Sequence, residues 1–272
     1  MTIVSAADVR IAGDRLGLVD SVVCVHSSLS SFGTLRGGAA ALVDALLDDG
    51  CTFVVPSFTW DTSYELPPGP QPERNGWDRE AEPTRGYRSR PFDPASTVID
   101  RGMGAVPAEV LRRSGHTRGN HPLSSFAAIG PRADEVIHHQ AVGRVFAPLE
   151  DVAACGGAVL LVGVGLERLT LVHLAEQRAG RTLFRRWARA ADGRVVATDV
   201  GGCSEGFGKL APHVADLASN VTVGESRWTC YPAAEVLAAL ERAIRSNPEV
   251  TLCGNPSCAR CRDSVAGGPI LS

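Results

Sequence analysis

The sequence predicts an α/β fold: a mixed sheet with parallel βαβ units and an antiparallel excursion, flanked by helices. Three observations carry this. Short apolar runs rich in β-branched residues alternate with stretches of helical spacing, the alternation covers most of the chain, and one pair of runs flanks a tight "ADG" turn. With 272 residues and 44% hydrophobic content, the chain can bury a large core. No internal repeat or linker divides it, so residues 1–250 are read as one domain and 251–272 as a cysteine-rich tail.

Residues 22–26 form the first apolar run, 38–48 ("GAAALVDALLD") have helical spacing, and 52–56 ("TFVVP") are apolar again, which makes a βαβ unit with a parallel strand pair. Residues 61–97 then break the pattern with Pro, Gly, Arg, Asp and Glu. A loop this long inside a domain, studded with Trp, Tyr and Phe, predicts a wall or lid of a site. A helix at 103–113, a strand at 125–130 and a helix from Pro131 follow. The run "AVLLVGVG" at 158–165 leads into a helix at 167–180 ended by Gly180. Strands at 182–188 and 194–199 form the hairpin, and a helix at 232–245, opened by Pro232, closes the fold.

A net charge of −3 lacks the clustered positive charge that nucleic-acid binding requires. There is no run of about 18 apolar residues and no basic start followed by an apolar stretch. Neither a membrane span nor a signal peptide is expected, and a soluble cytoplasmic protein follows.

Polar residues concentrate at strand ends. "HSSLSSFG" (26–33) follows the first strand, where open α/β sheets bind ligands, and its four hydroxyls could cradle phosphate or an amide-rich arm, or form only a Ser-rich turn. Thr170, His173 and Glu176 recur every third residue and share a helix face. A histidine beside a carboxylate can act as a general base, although the pair is common on ordinary helices. Glu205 sits in the Gly-rich turn "GGCSEGFGK", suited to a site or to a plain surface turn. His121, before Pro122, is either a second titrating group or structural. Cys253, Cys258 and Cys261 have C-x4-C-x2-C spacing; a zinc site would need a fourth ligand from Cys203, Cys230, a histidine or water, and the alternative is a reduced thiol cluster.

Several phrases occur together in order: "VHSSLSSFG", "VVPSFTW", "RPFDPASTVIDRGMGAVPAEVLR", "GNHPLSSFAAIG", "LLVGVGLERLTLVHLAE" and "CSEGFGKL". In this combination, across about residues 15 to 245, the chain resembles the aminoglycoside 3-N-acetyltransferase family. The resemblance implies that family's own α/β fold, distinct from GNAT acetyltransferases. It implies acetyl-CoA as cosubstrate, no required metal, and an aminoglycoside or related polyamine as acceptor. His173 matches the family's catalytic histidine, Glu176 the acid in the same phrase, and Glu205 the acid of the later "EGF" phrase. His26, Ser27, Ser28, Leu29, Ser30, Phe32 and Gly33, with Ser96, Thr97, Ser124, Ser125 and Phe126, resemble parts that surround coenzyme A.

A polycationic acceptor calls for carboxylates. Asp61 and Tyr64, which follow "PSFTW" at a strand end, are the expected acceptor contacts beside Glu176 and Glu205, with Glu65, Asp78, Glu80 and Glu82 as further acids and Arg74, Arg79, Arg85, Arg88 and Arg90 among them. The protein is expected to be a monomer or a homodimer. Three other readings stand beside this one: an acetyltransferase of another natural-product or metabolite amine, a zinc-stabilised binding protein, and a Cys/His hydrolase using Cys203 and His173.

Overall fold

A computed structural model describes residues 3–65, 71–77 and 89–271. In chain order the elements are β1 (Ile3–Val4), α1 (Ala6–Arg15), β2 (Val22–Ser27), β3 (Thr34–Leu35), α2 (Gly38–Asp48) and β4 (Thr52–Pro56). Next come α3 (Ala105–Arg112), β5 (Thr117–Arg118), β6 (Phe126–Ile129), α4 (Ala133–Ile137), α5 (Ala147–Ala154) and β7 (Ala158–Val162). Then follow α6 (Leu171–Arg178), β8 (Phe184–Arg189), β9 (Val195–Val200), α7 (Ala211–Val214), β10 (Ser219–Val223), β11 (Ser226–Pro232), α8 (Ala233–Ser246) and α9 (Ala259–Val265).

The main sheet has strand order β10-β11-β7-β2-β4-β6-β5. Its centre, β7-β2-β4, is parallel, and the flanking pairs are antiparallel. This is the mixed sheet that the alternating pattern predicts. β8 and β9 pair apart from it, in register from Phe184↔Val200 to Arg189↔Val195, as the antiparallel excursion.

Burial on both faces explains why the central strands read as continuous apolar runs. Successive side chains alternate: Val22, Cys24, Val54, Val159 and Leu161 join one core with α4, α5, α6 and α8, whereas Val23, Val25, Phe53, Val55 and Leu160 join the other with α1, α2 and α3. At about 25 cal/mol per Å² of buried apolar surface, these two cores supply the main drive for folding.

Several boundaries differ from the sequence expectation for local reasons. The strand read at 158–165 ends at Val162, because Gly163 turns the backbone with φ +64°. The helix read from 167 begins at Leu171, after a 3₁₀ turn at Leu166–Arg168. The β10–β11 hairpin, α1, α5 and α9 are additional elements. Within the tail, Thr182 N–H donates to Gly267 O (2.9 Å), and Gly268 leaves no room for a Cβ against Thr182 O, so residues 259–268 lie against the strand leading into β8. No helix among the described residues is long and apolar enough to cross a membrane.

Candidate active site

β2, β4 and β7 run in one direction, so their carboxyl ends open together, and a cavity of about 980 Å³ lies there. Its walls are His26–Ser31 at the end of β2 and beyond it, Pro56 ending β4 and Phe58 after it, Gly163–Gly165 after β7, the approach to α3 and its first turn from Gly102 to Pro107, and His173 on α6. The volume is at the upper end of the range of about 300–1,000 Å³ common for small-molecule sites.

His173 is positioned from every side. Its Nδ1 meets Glu176 Oε2 at 2.8 Å, the (i, i+3) partner on the same helix face. Phe146 stacks parallel to the ring at 6.2 Å, and Phe207 meets it edge-on at 4.9 Å. Gly201 passes so close that an added Cβ would stand 2.5 Å from His173 Cδ2. In the neutral ring, donation from Nδ1 to the carboxylate selects the tautomer whose lone pair is on Nε2.

Glu176 is itself buried, at 4% exposure, and its other oxygen, Oε1, takes a hydrogen bond from Arg181 Nη1. Arg181 is almost as deeply buried and also donates to Thr251 Oγ1 (2.8 Å), Ser264 Oγ (3.2 Å) and Pro248 O (2.6 Å). A buried ion pair needs such additional bonds to offset desolvation. Arg181 and its three partners are the part of the site that sequence reading missed; the signal available was only an arginine five residues after the glutamate.

The serine loop divides into two roles. Ser31 Oγ bonds Ser28 O (2.6 Å) and Ser226 Oγ (2.7 Å), tying the loop to β11. Ser27, Ser28 and Ser30 face the cavity, with Ser28 and Ser30 hydroxyls 3.0 Å apart. Leu29 also lines it, whereas Phe32 is buried against Trp228 in a T-shaped contact at 6.0 Å. Gly33 has φ +70°, and an added Cβ would stand 3.1 Å from the Glu225 carboxylate. His26 lines the cavity and is buried, which pushes its pKa down to about 4 and keeps it neutral.

Other predicted site residues lie elsewhere. Ser124, Ser125 and Phe126 are buried and do not line the cavity: Ser125 Oγ bonds Ser57 O (2.9 Å) and accepts from Arg118 Nε (3.0 Å), which locks the β4–β6 edge. Ser96 gives its carbonyl to Arg118 Nη1 (2.6 Å), and Thr97 beside it is exposed; neither reaches the cavity wall. Asp61 and Tyr64 are exposed and away from the wall, with the Tyr64 ring under the Arg189 guanidinium at 5.1 Å. Glu205 is exposed on its turn, and it is the neighbouring Ser204 that reaches the cavity. Acids on the wall that the sequence left unnoticed are Glu167 and Glu225.

The described part of the long loop packs away from the cavity as well. Asn75 bonds both backbone groups of Arg185, and Gly76 N–H donates to Asp263 Oδ2 (2.9 Å). Asp78, Glu80, Glu82, Arg79, Arg85 and Arg88 lie outside the described residues. His121 is structural: its Nδ1 accepts from Ser124 N–H (2.8 Å), its Nε2 bonds Thr198 Oγ1 (2.7 Å), and burial pushes its pKa down to about 3. Cys203 does not line the cavity, so it makes no nucleophile–base pair with His173; its sulfur gathers with the tail cysteines.

The family described as aminoglycoside 3-N-acetyltransferase matches residues 24–245. The chain belongs to this family. Aminoglycoside N(3)-acetyltransferase VIII of Streptomyces fradiae is 33% identical over 171 residues, which are 60% of this chain and 57% of that protein. Aminoglycoside N(3)-acetyltransferase III of Serratia marcescens is 32% identical over 200 residues, 70% of each chain. The match thus spans less than two thirds of the length of the Streptomyces relative. Among solved structures, YokD from Bacillus subtilis has 26% identity and a TM-score of 0.74, covering 91% of this chain and 96% of that one. The aminoglycoside acetyltransferase AAC(3)-IVa apoenzyme has 24% identity and a TM-score of 0.77 with 98% of both chains covered, a likeness of fold. A mixed α/β sheet of this kind is the family's own architecture, not a GNAT fold.

Proposed function

We propose that this family member is an acetyl-CoA-dependent N-acetyltransferase that acetylates the 3-amino group of aminoglycosides, with His173 as general base in a direct transfer. The observation that carries the reading is the His173–Glu176–Arg181 series at the wall of the cavity. A relative's structure described as AAC-IIIb binary with CoASH, and AAC(3)-IVa complexes with a gentamicin and with apramycin, support the two partner classes.

The acceptor amine can attack only through its nitrogen lone pair. As the C–N bond forms at the thioester carbonyl, His173 Nε2 takes the amine proton while Nδ1–H remains on Glu176. The C–S bond then breaks and the thiolate leaves as coenzyme A. General-base help of this kind is worth about 10²–10⁴-fold. Hydroxyls of Ser27, Ser28 and Ser30 supply donors toward the thioester oxygen and the pantetheine amides, and loss of one oxyanion donor typically costs about 10²–10³-fold. The N-terminal turn of α3, where the Ala105 and Val106 N–H groups come before the first intrahelical bond, suits the negative end of the cofactor. Glu167 and Glu225, with Glu205 outside, offer negative charge to a polycation.

The test follows thiol release from acetyl-CoA by the purified chain with gentamicin, kanamycin, neomycin-type and apramycin acceptors, beside acceptor-free controls. Aminoglycoside-dependent release, with mass addition of one acetyl group at the 3-amine, is the expected result. Release only with other amines would replace the acceptor class, and a chain that binds coenzyme A without any transfer would overturn the catalytic reading.

A further inference from the structure

Sequence spacing brings three cysteines together, and folding adds a fourth. Cys203, on the turn after β9, joins Cys253, Cys258 and Cys261, and all four Sγ atoms lie within 4.8 Å of one another. A tetrahedral zinc with Zn–S bonds of about 2.3 Å needs its sulfurs about 3.8 Å apart, by tetrahedral geometry. The cluster is therefore within about 1 Å per pair of a closed shell.

All four are free thiols. Chance clustering is disfavoured because thiols at this separation would each lose solvent without gaining a strong partner. The local architecture is also that of a metal knuckle. Cys258 caps α9, Cys261 lies one turn later in that helix, and Cys253 N–H donates to Cys261 Sγ at 3.3 Å, a bond that stabilises thiolate charge. The cytosol expected for the chain keeps such thiols reduced, where a cysteine set of this kind is metal-binding rather than cross-linked.

We propose that Cys203, Cys253, Cys258 and Cys261 hold one tetrahedral zinc ion that fastens the carboxyl-terminal segment to the turn carrying Ser204 and Glu205. Four thiolates fill the coordination shell and leave no position for water or substrate, so the ion is structural. Its place explains why the turn and the segment touch so closely. An added Cβ on Gly206 would collide with Thr251 O, and Lys209 Nζ donates to Leu252 O (2.8 Å). Both elements serve His173: the turn supplies Gly201 and Phe207 against its ring, and the segment supplies Thr251 and Ser264 to Arg181. The ion thus joins the two supports of the imidazole, from residues that one chain segment alone could not bring together.

The experiment measures metal in the full chain purified under reducing conditions, by elemental analysis and by zinc release when a mercurial blocks the thiols. A single zinc per chain is expected, and cobalt in its place should give the thiolate charge-transfer and tetrahedral d–d bands of a four-sulfur site. Cys258→Ser should weaken zinc binding by at least about 10-fold and remove those bands, whereas Cys155→Ser, outside the cluster, should leave both unchanged. Should Cys258→Ser fail to fold, cobalt titration of the unmodified chain supplies the same readout. Reduced chain that neither carries nor takes up metal, a Cys258→Ser chain with full zinc, disulfides among these cysteines in reduced preparations, or iron as the bound metal would each overturn the assignment.

Discussion

Acid should destabilise this fold through His121, by an amount that the structure allows to be worked out. Nδ1 accepts the Ser124 N–H, so Nε2 carries the proton and donates to Thr198 Oγ1, which donates in turn to Val142 O (3.1 Å). Protonation would set an N–H against an N–H, and burial adds its own penalty; the folded pKa falls to about 3. The unfolded value is about 6.5. Between the two, the unfolded chain binds a proton that the native chain refuses, so stability is complete above about pH 6.5 and falls as pH drops toward about 3. Going from about pH 7.5 to about pH 5, the linkage relation gives a loss of about 2 kcal/mol from this one residue. His121→Asn keeps an acceptor for Ser124 and removes the titration. It should cost about 1–3 kcal/mol at neutral pH through the lost Thr198 bond and ring volume. It should then lose about 2 kcal/mol less than the parent on acidification, read from urea unfolding at both pH values. His26, buried with the same sign, stays in both chains and cancels. Equal acid losses in the two proteins would refute the reasoning.

Four further outcomes follow from the site. His173→Ala should lower turnover by at least about 10²-fold while coenzyme A binding, measured by calorimetry, is kept; near-normal turnover would remove the assigned base. Gly201→Ala must push the imidazole, since its Cβ would stand 2.5 Å from Cδ2, and should cost up to about 10²-fold in kcat with an unchanged melting transition; an unaffected kcat would show that the ring yields freely. Arg181→Met leaves the Glu176 carboxylate buried without its cation and should destabilise by about 3–5 kcal/mol in chemical denaturation; a loss under about 1 kcal/mol would mean the pair is not desolvated. Ser28→Ala should raise KM for acetyl-CoA more than it changes kcat, and an unchanged KM would displace the cofactor from this loop.

How legible the protein was in its sequence depends on where each signal is stored. The β2–α2–β4 unit was readable because both faces of its strands are buried and its helix keeps one apolar face; the helix bounds, Gly38–Asp48, agree with the spacing. The β10–β11 hairpin was not, because β10 is an edge strand whose Ser219, Asn220 and Thr222 face solvent and dilute the apolar pattern. In the site, the His173–Glu176 contact follows from helix geometry alone, so spacing found it. The support of Glu176 by Arg181, Thr251 and Ser264 joins residues 70 and 83 positions apart, and no local pattern encodes such a meeting. The serines at 124 and 125 show the opposite limit: hydroxyls next to a strand serve equally as ligands and as structural partners, and in this fold Ser125 Oγ is taken by the buried Arg118.

The span matched to the family ends at residue 245, yet the buttress of the imidazole does not. Glu176 holds His173 through one oxygen and Arg181 through the other, so the orientation of the imidazole depends on where Arg181 is held. Arg181 is held by Pro248, Thr251 and Ser264, all beyond that span. Rotating Glu176 away from Arg181 would leave two buried charges unpaired, a cost of several kcal/mol, so the carboxylate is pinned while the segment stays docked. Undocking the segment removes that constraint without touching the cavity lining. Residues 248–264 therefore bear, through one guanidinium, on the placement of a histidine that none of them bonds and, on the proposals above, on the general base and its metal-fastened support.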